Sequence, residues 1–476
     1  MIAATYSRSG RVAFACWLML ATGAPAWSAT ASVTLPPVQR AQLPNGAHLA
    51  LVEKRDTPMV AMTVTVRGGA LGDPQGKEGT ASLFADLIQK GAGARNAAQF
   101  AEAVESAGGM LVAAAGSENL SVNASFMSRD VDLMLQLVAD ALQRPTLAPS
   151  EFEKARTLAI QSIAAAKDSD PRALISSYGD AWLFRGHPYG RPVGGSEASL
   201  ATVTPDDVRQ FYQDQVGGDR TIITVVGDID SGAMRAKLER AFGSWRKAAA
   251  PLPSAPPPQK AQGRRVLLVD KPGATQTYFW LGNVGASRTD PARTPQAVVN
   301  TAFGGRYTSM LNQALRIDSG LTYGASATFD RGLQPGAYAL ASYTQTDSTV
   351  QAVDLALATL ERLRRDALDA DTLASSKSYM LGQFPPTLET SGQIASRLAD
   401  LAFYGLGIEE VEGYAQRVAA VDAAAAREVI EQAFPHGDDL AIVLIGDAAK
   451  IREQVRKYGP VTEMKITDPQ FAPPRT

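Results

Sequence analysis

Pro251-Leu252-Pro253-Ser254-Ala255-Pro256-Pro257-Pro258 places five prolines in eight residues. Proline fixes φ and has no N–H, so such a run takes an extended form and reads as a semi-rigid linker, here 248–265. The segments on either side of it resemble each other. Leu51-Val52-Glu53-Lys54 matches Leu268-Val269-Asp270-Lys271 at an offset of 217. At the same offset Gly68 matches Gly285, and Asp73-Pro74 matches Asp290-Pro291. Val225-Val226-Gly227-Asp228 matches Leu444-Ile445-Gly446-Asp447 at an offset of 219. A period this long is not that of a solenoid, whose repeats run about 20–50 residues. The economical reading is a duplicated unit, 29–247 and 266–465, with a tail at 466–476.

Local pattern gives each half the same parts. Met59–Val66 and Thr277–Leu281 are β-rich runs bounded by Gly and Pro, and helices follow at 80–89 and 294–303. Met110–Ala115 and Leu120–Phe126 flank Gly116-Ser117-Glu118-Asn119 and read as a hairpin. Apolar residues at helical spacing mark 131–142 and 350–363. Segments 151–166 and 205–213 also read as helices, the latter with Thr204 as N-cap. Each half closes on an apolar strand, 221–226 or 440–445. The expected fold is α+β: two homologous domains, each a mainly antiparallel sheet with helices packed on one face, together forming half of a clamshell.

Composition removes several functions. The 46 Lys+Arg against 48 Asp+Glu give a net charge of −2, which provides no basic footprint for nucleic acid or membrane. Arg8 and Arg11 precede an apolar stretch from Val12 to Ala24, and small residues follow at 24–29. That is the pattern of a secretory signal peptide, 1–28, with cleavage expected in the 26–29 window and a periplasmic destination. The apolar run is shorter than the roughly 20 residues of a membrane span. Cys16, the one cysteine, sits inside it, so a processed chain has no thiol for a disulfide or a zinc site. His48, His187 and His436 lie 139 and 249 residues apart, so no two share a helix. His187 stands in a Gly/Pro loop, where local hydrogen bonding is the simple expectation; His48 and His436 border strands. Gly304-Gly305 has neither phosphate-loop spacing nor a Gly-x-Ser-x-Gly context, and reads as a place of close backbone packing.

Several segments are similar to the pitrilysin/insulinase metallopeptidases, the inverzincins. They are Leu43-Pro44-Asn45-Gly46, the 79–91 helix, His187-Pro188-Tyr189-Gly190 with Gly194-Gly195, and the strand end at 225–228. Most specific is the run Gly304-Gly305-Arg306-Tyr307-Thr308-Ser309, Leu315-Arg316, Gly320-Leu321-Thr322-Tyr323-Gly324. Active members carry His-x-x-Glu-His on a helix, two imidazoles for Zn²⁺ and a carboxylate that activates water, plus a downstream Glu ligand. The resemblance lays that motif on Ser82, Ala85 and Asp86, and the downstream region 155–166 has no carboxylate. It therefore implies that this chain holds no metal and no catalytic residue of its own. Asp86 alone is expected to be solvated.

In the family the second domain supplies an Arg and a Tyr seven residues apart that contact the substrate carbonyl; the pair corresponds to Arg316 and Tyr323. A helix over 310–317, a stop at Gly320 and a strand over 321–329 would bring them together. The local pattern alone gives a blander reading: Arg316 on a polar helical face with Asn312 and Gln313, and Tyr323 alternating with Leu321, Ala325, Ala327 and Phe329 as a core tyrosine. Some bacterial members are heterodimers that divide the motif and the pair between subunits. The resemblance implies a partner bearing His-x-x-Glu-His and the Zn²⁺, and unfolded peptides as substrates, held partly by strand addition at Met110–Ala115. The alternative is a non-enzymatic scaffold or peptide-binding protein on the same fold.

Overall fold

The computed structural model describes residues 33–473; the signal peptide expected at 1–28 lies outside them. The first half contributes β1 (Val38–Gln42), β2 (His48–Glu53), β3 (Met59–Arg67), a short ribbon of β4 (Gly91–Ala92) and β5 (Arg95–Asn96), β6 (Met110–Ala115), β7 (Asn119–Met127) and β8 (Thr221–Gly227). The second contributes β9 (Arg265–Asp270), β10 (Gln276–Val284), β11 (Ala325–Arg331), β12 (Pro335–Gln345), β13 (Ala441–Gly446) and β14 (Val461–Lys465). Two six-stranded sheets result, ordered β1-β2-β8-β3-β7-β6 and β14-β9-β13-β10-β12-β11. Five positions correspond across the two. The sixth, an outer edge, is filled by an antiparallel strand in the first sheet and by a parallel one in the second.

The repeated motifs explain this correspondence. Leu51, Val52 and Glu53 of β2 run parallel to Val225, Val226 and Gly227 of β8; Leu268, Val269 and Asp270 of β9 run in the same register beside Leu444, Ile445 and Gly446 of β13. The acidic residue ending the first strand caps the helix that follows the second. Ser231 N–H donates to Glu53 Oε1 at 2.9 Å, and Ala448 N–H donates to Asp270 Oδ1 at 3.0 Å. A carboxylate there satisfies an unpaired helical N–H and meets the positive end of the helix dipole.

Each sheet carries its own half's helices on one face, around Phe84, Met134 and Leu238 in the first and Phe303, Val353 and Ile430 in the second. The opposite faces are covered by exchange. The Ile175–Leu183 helix lays Tyr178 and Trp182 on Leu267, Trp280 and Val443 of the second sheet. The Ser391–Tyr404 helix lays Ile394, Leu398 and Leu401 on Val52, Ala61 and Val226 of the first. Burial of β8 and β13 along their whole length follows, because both faces are packed. Fully burying each large side chain contributes roughly 1.5–3 kcal/mol, so the two helices fasten the halves to each other. Gly179 lets one of them approach: a Cβ there would stand 2.6 Å from the Trp280 ring.

The segment from 248 to 264 has no helix or strand. His187 holds it, with Nδ1 accepting from Tyr189 N–H at 3.1 Å and Nε2 donating to the Pro256 carbonyl at 2.7 Å. The segment after β14 is also docked: Phe471 is buried edge-on against Tyr178 at 5.0 Å. Among the described residues, no helix is long and apolar enough to cross a membrane.

Candidate functional site

Among the described residues no strand pairs with the outer edge of β11 in the second sheet, and the segment before it is wound unusually. The Arg293–Asn300 helix widens into a π turn at Thr301–Gly305, and Met310–Asn312 widens into another at Gln313–Asp318. The regular helix expected over 310–317 is thus only one turn of α before the change. Wide turns of this kind are common at functional sites because they redirect side chains. Gly304 makes the first turn possible, since a Cβ would lie 2.6 Å from the backbone nitrogen of Ala327. Gly320, at φ +64°, closes the second.

Beneath the surface this segment is held by polar groups. Asn312 is buried, not on an exposed polar face; its Oδ1 accepts from Ala325 N–H at 2.9 Å and its Nδ2 donates to the Arg306 carbonyl at 3.3 Å. The Leu315 carbonyl accepts from both Leu321 N–H and Thr322 N–H. Ser342 Oγ donates to buried Thr322 Oγ1 at 3.0 Å, and Thr344 Oγ1 donates to the Leu321 carbonyl at 2.7 Å. β11 begins at Ala325, so Tyr323 precedes the strand and escapes its alternation.

Arg316 and Tyr323 are brought together. The Arg316 guanidinium lies 4.4 Å from the centroid of the Tyr323 ring and 4.8 Å from that of Tyr307. Tyr323 is 74% exposed and Tyr307 58%, so the expectation of a core tyrosine is overturned. The physical reason is the loop: Thr322 turns inward and Tyr323 is thrown outward. Both rings are in cation–π contact with the guanidinium, and it makes no hydrogen bond or ion pair to the described residues. Five N–H groups are therefore presented beside a phenolic O–H, a donor set suited to a carbonyl or oxyanion. Tyr307 was missed from sequence, although it stands in the Gly304–Ser309 run; an exposed loop aromatic near an Arg was the available signal.

The matching edge of the first sheet is β6, beside the Thr80–Leu87 helix. Asp73 caps that helix from outside, accepting from Gly79 N–H and Ala81 N–H at 2.8 Å each. Ser82 donates its hydroxyl to the Val193 carbonyl at 2.8 Å. Ala85 is buried and carries no ligand atom; Asp86 is exposed, although partial desolvation by the protein around it raises its pKa, with Lys90 opposing. One engaged hydroxyl, one methyl and one carboxylate do not make a zinc donor set, which takes three or four N, S or O ligands. Among the described residues no three or more His, Cys, Asp or Glu side chains are gathered to hold a metal. His436 instead pairs with Arg364 at 2.8 Å, and His48 is exposed at the start of β2. On β6, Met110 is 51% and Val112 48% exposed, while Leu111 and Ala113 are buried. Among the described residues, the strand's outer hydrogen-bonding edge has no neighbouring strand.

Comparison with known proteins agrees with this duplicated architecture. Residues 48–197 match the sequence model of the insulinase family, peptidase family M16, and residues 202–380 match that of the peptidase M16 inactive domain. A protein of Mycobacterium leprae named an uncharacterized zinc protease is 27% identical over 369 residues, covering 76% of this chain and 81% of its own. YmxG of Bacillus subtilis, also named an uncharacterized zinc protease, is 24% identical, covering 76% and 87%. The crystal structure of a peptidase M16 inactive domain from Pseudomonas fluorescens superposes with a TM-score of 0.81 at 19% identity, covering 86% of this chain and 98% of that one. A protease from Helicobacter pylori gives 0.79 at 19%, covering 86% and 100%.

Proposed function

Since the chain belongs to the pitrilysin/insulinase-like peptidases of family M16, we propose that it is the non-catalytic subunit of a periplasmic zinc metallopeptidase heterodimer. In this reading it closes against a homologous subunit bearing His-x-x-Glu-His, which holds the Zn²⁺, and lends Arg316 and Tyr323 to that subunit's active site. One observation carries the reading. The Arg316 donor edge is left open between two exposed rings, whereas Ser82, Ala85 and Asp86 offer no ligand set. A scaffold needs no such presentation.

Arg316 and Tyr323 would donate hydrogen bonds to the carbonyl oxygen of the scissile peptide as it gains negative charge. Unfolded peptides are the substrates in this reading, and the free edge of β6 supports strand addition. The leader pattern around Arg8 and Arg11 supports the periplasm, and the matching strand order supports two peptidase-like domains at 29–247 and 266–465.

The test is reconstitution with a His-x-x-Glu-His homologue encoded beside this chain. Peptide cleavage is expected only in the mixture and is expected to fall with Arg316→Ala and with Tyr323→Phe. A partner fully active alone, or a mixture indifferent to Arg316→Ala, sinks the assignment and leaves the scaffold reading.

A further inference from the structure

Away from the Arg316 edge, the second half encloses a cavity of about 370 Å³ between the Arg293–Asn300, Ala370–Gln383 and Ser391–Tyr404 helices. Five guanidiniums line it, those of Arg288, Arg293, Arg331, Arg397 and Arg417, with one carboxylate, Glu410. Three of the five are matched. Arg293 and Arg417 share Glu410, and Arg288 reaches Asp400 at 2.9 Å.

The other two have no carboxylate in contact among the described residues. Arg331 donates only to the Ser287 carbonyl and to Gln296 Oε1, at 3.2 and 2.7 Å. Burial, reinforced by the like charges of Arg288 and Arg293, lowers its pKa to about 10, with Asp290 opposing. Arg397 has no hydrogen bond or ion pair with any described residue. It also lines the adjoining groove of about 980 Å³, whose far wall is Met62, Asn123 and Met110 of the first sheet. Arg288, Gln383, Thr387 and Arg397 line both spaces, so the two adjoin. Partly buried cations are normally paired, because desolvation without a partner is costly. An excess of cationic forks inside a cavity that opens on a groove is the arrangement that receives an anion. The planar fork of arginine matches carboxylate and phosphate oxygens two at a time.

We propose that this cavity binds an oxyanion, a phosphate or carboxylate group that enters from the groove and is held by Arg397 with Arg331 behind it. Arg288, Arg293 and Arg417 stay on their carboxylates and supply the surrounding positive field. The site uses neither Arg316 nor Tyr323, and shares with the heterodimer assignment only Met110 of β6, on the groove's far wall.

The test is equilibrium binding to the intact chain alone. One arm titrates inorganic phosphate by calorimetry; the other titrates a fluorescent oligoglutamate peptide by anisotropy, with its oligoglutamine counterpart as control. Saturable binding in at least one arm is expected, weakened roughly tenfold or more by Arg397→Gln. Phosphate alone binding identifies a free oxyanion as the ligand; the acidic peptide alone identifies a side-chain carboxylate arriving along the groove. Arg397→Lys keeps the charge but loses the fork, so binding must weaken there too, which covers a neutral variant that fails to fold. No saturable binding in either arm, equal binding of the glutamine peptide, or binding unchanged in both variants overturns the proposal.

Discussion

At the free edge of the first sheet, the Thr80–Leu87 helix uses its polar groups internally, the exposed Asp86 excepted. Ser82 donates to a backbone carbonyl, Ala85 packs, and Gln89 Nε2 ties the helix to β6 through the Ala113 carbonyl at 3.2 Å. At the free edge of the second sheet the polar groups form two layers. Asn312, Thr322 and Ser342 are buried and hydrogen-bonded, and above them Arg316, Tyr307 and Tyr323 stand at the surface. Buried polar networks that are fully paired fix a geometry better than apolar packing does. The first edge is a packed surface; the second is a platform built to hold exposed donors still.

The strongest way to break this comparison is to disable both edges in turn. In the reconstituted pair, Arg316→Ala removes an oxyanion donor and is expected to lower kcat by about 10²–10³. Ser82→Ala removes one internal hydrogen bond, worth about 0.5–1.5 kcal/mol of stability, and is expected to leave turnover unchanged. Equal losses of turnover would erase the distinction between the edges.

A second break concerns the joint between the halves. Asp180, on the helix that clasps the second sheet, faces a cavity of about 520 Å³ together with Asp330 from the end of β11. Burial, with the charge of Asp330 added, pushes the Asp180 carboxyl up to about 7. Unfolded aspartate titrates near about 3.9, so between roughly pH 4 and 7 the folded chain binds more protons than the unfolded one. Its stability therefore falls as pH rises through that window. Asp180→Asn should flatten that decline and make the variant more stable than wild type at pH 8, by at most about 4 kcal/mol. Denaturant midpoints at pH 5 and pH 8 measure it; identical slopes for both proteins would refute it.

Third, Asn312→Ala takes the acceptor from Ala325 N–H and the donor from the Arg306 carbonyl. It is expected to destabilise by about 1–3 kcal/mol and to lower turnover as well, because the loop above it loosens. Stability lost with turnover intact would mean the platform is only structural.

What could be read beforehand follows from where the information lies. The two-fold plan was legible because strand ends and caps repeat locally: Glu53 and Asp270 occupy equivalent positions and do the same work. The exchange of helices between halves was not, since the helical pattern of 175–183 says that a face is apolar but not which sheet it meets. A hint existed in the unbroken β-branched run at 222–226, which a sheet covered on one face does not require. Tyr323 was misread locally because alternation assumes a strand from 321, whereas the strand begins at Ala325. The π turns, set by tertiary contacts at Gly304 and Asn312, left no periodicity to find.

The smallest expected effect tests the finest detail, whether Tyr307 belongs to the platform or merely lies on it. A cation–π contact at an exposed site contributes about 0.5–1 kcal/mol. Losing one of the two rings should let Arg316 sample other rotamers while Tyr323 still contacts it. Tyr307→Ala is then expected to lower kcat/KM about two- to fivefold in the reconstituted pair. Tyr307→Phe keeps the ring and should behave as wild type. A loss in Tyr307→Phe equal to that in Tyr307→Ala would show that the hydroxyl, not the stack, matters, and that the donor set has three members. A loss in Tyr307→Ala as large as that in Arg316→Ala would show that Arg316 cannot be held by Tyr323 alone, and that the buried layer sets the loop but not the guanidinium.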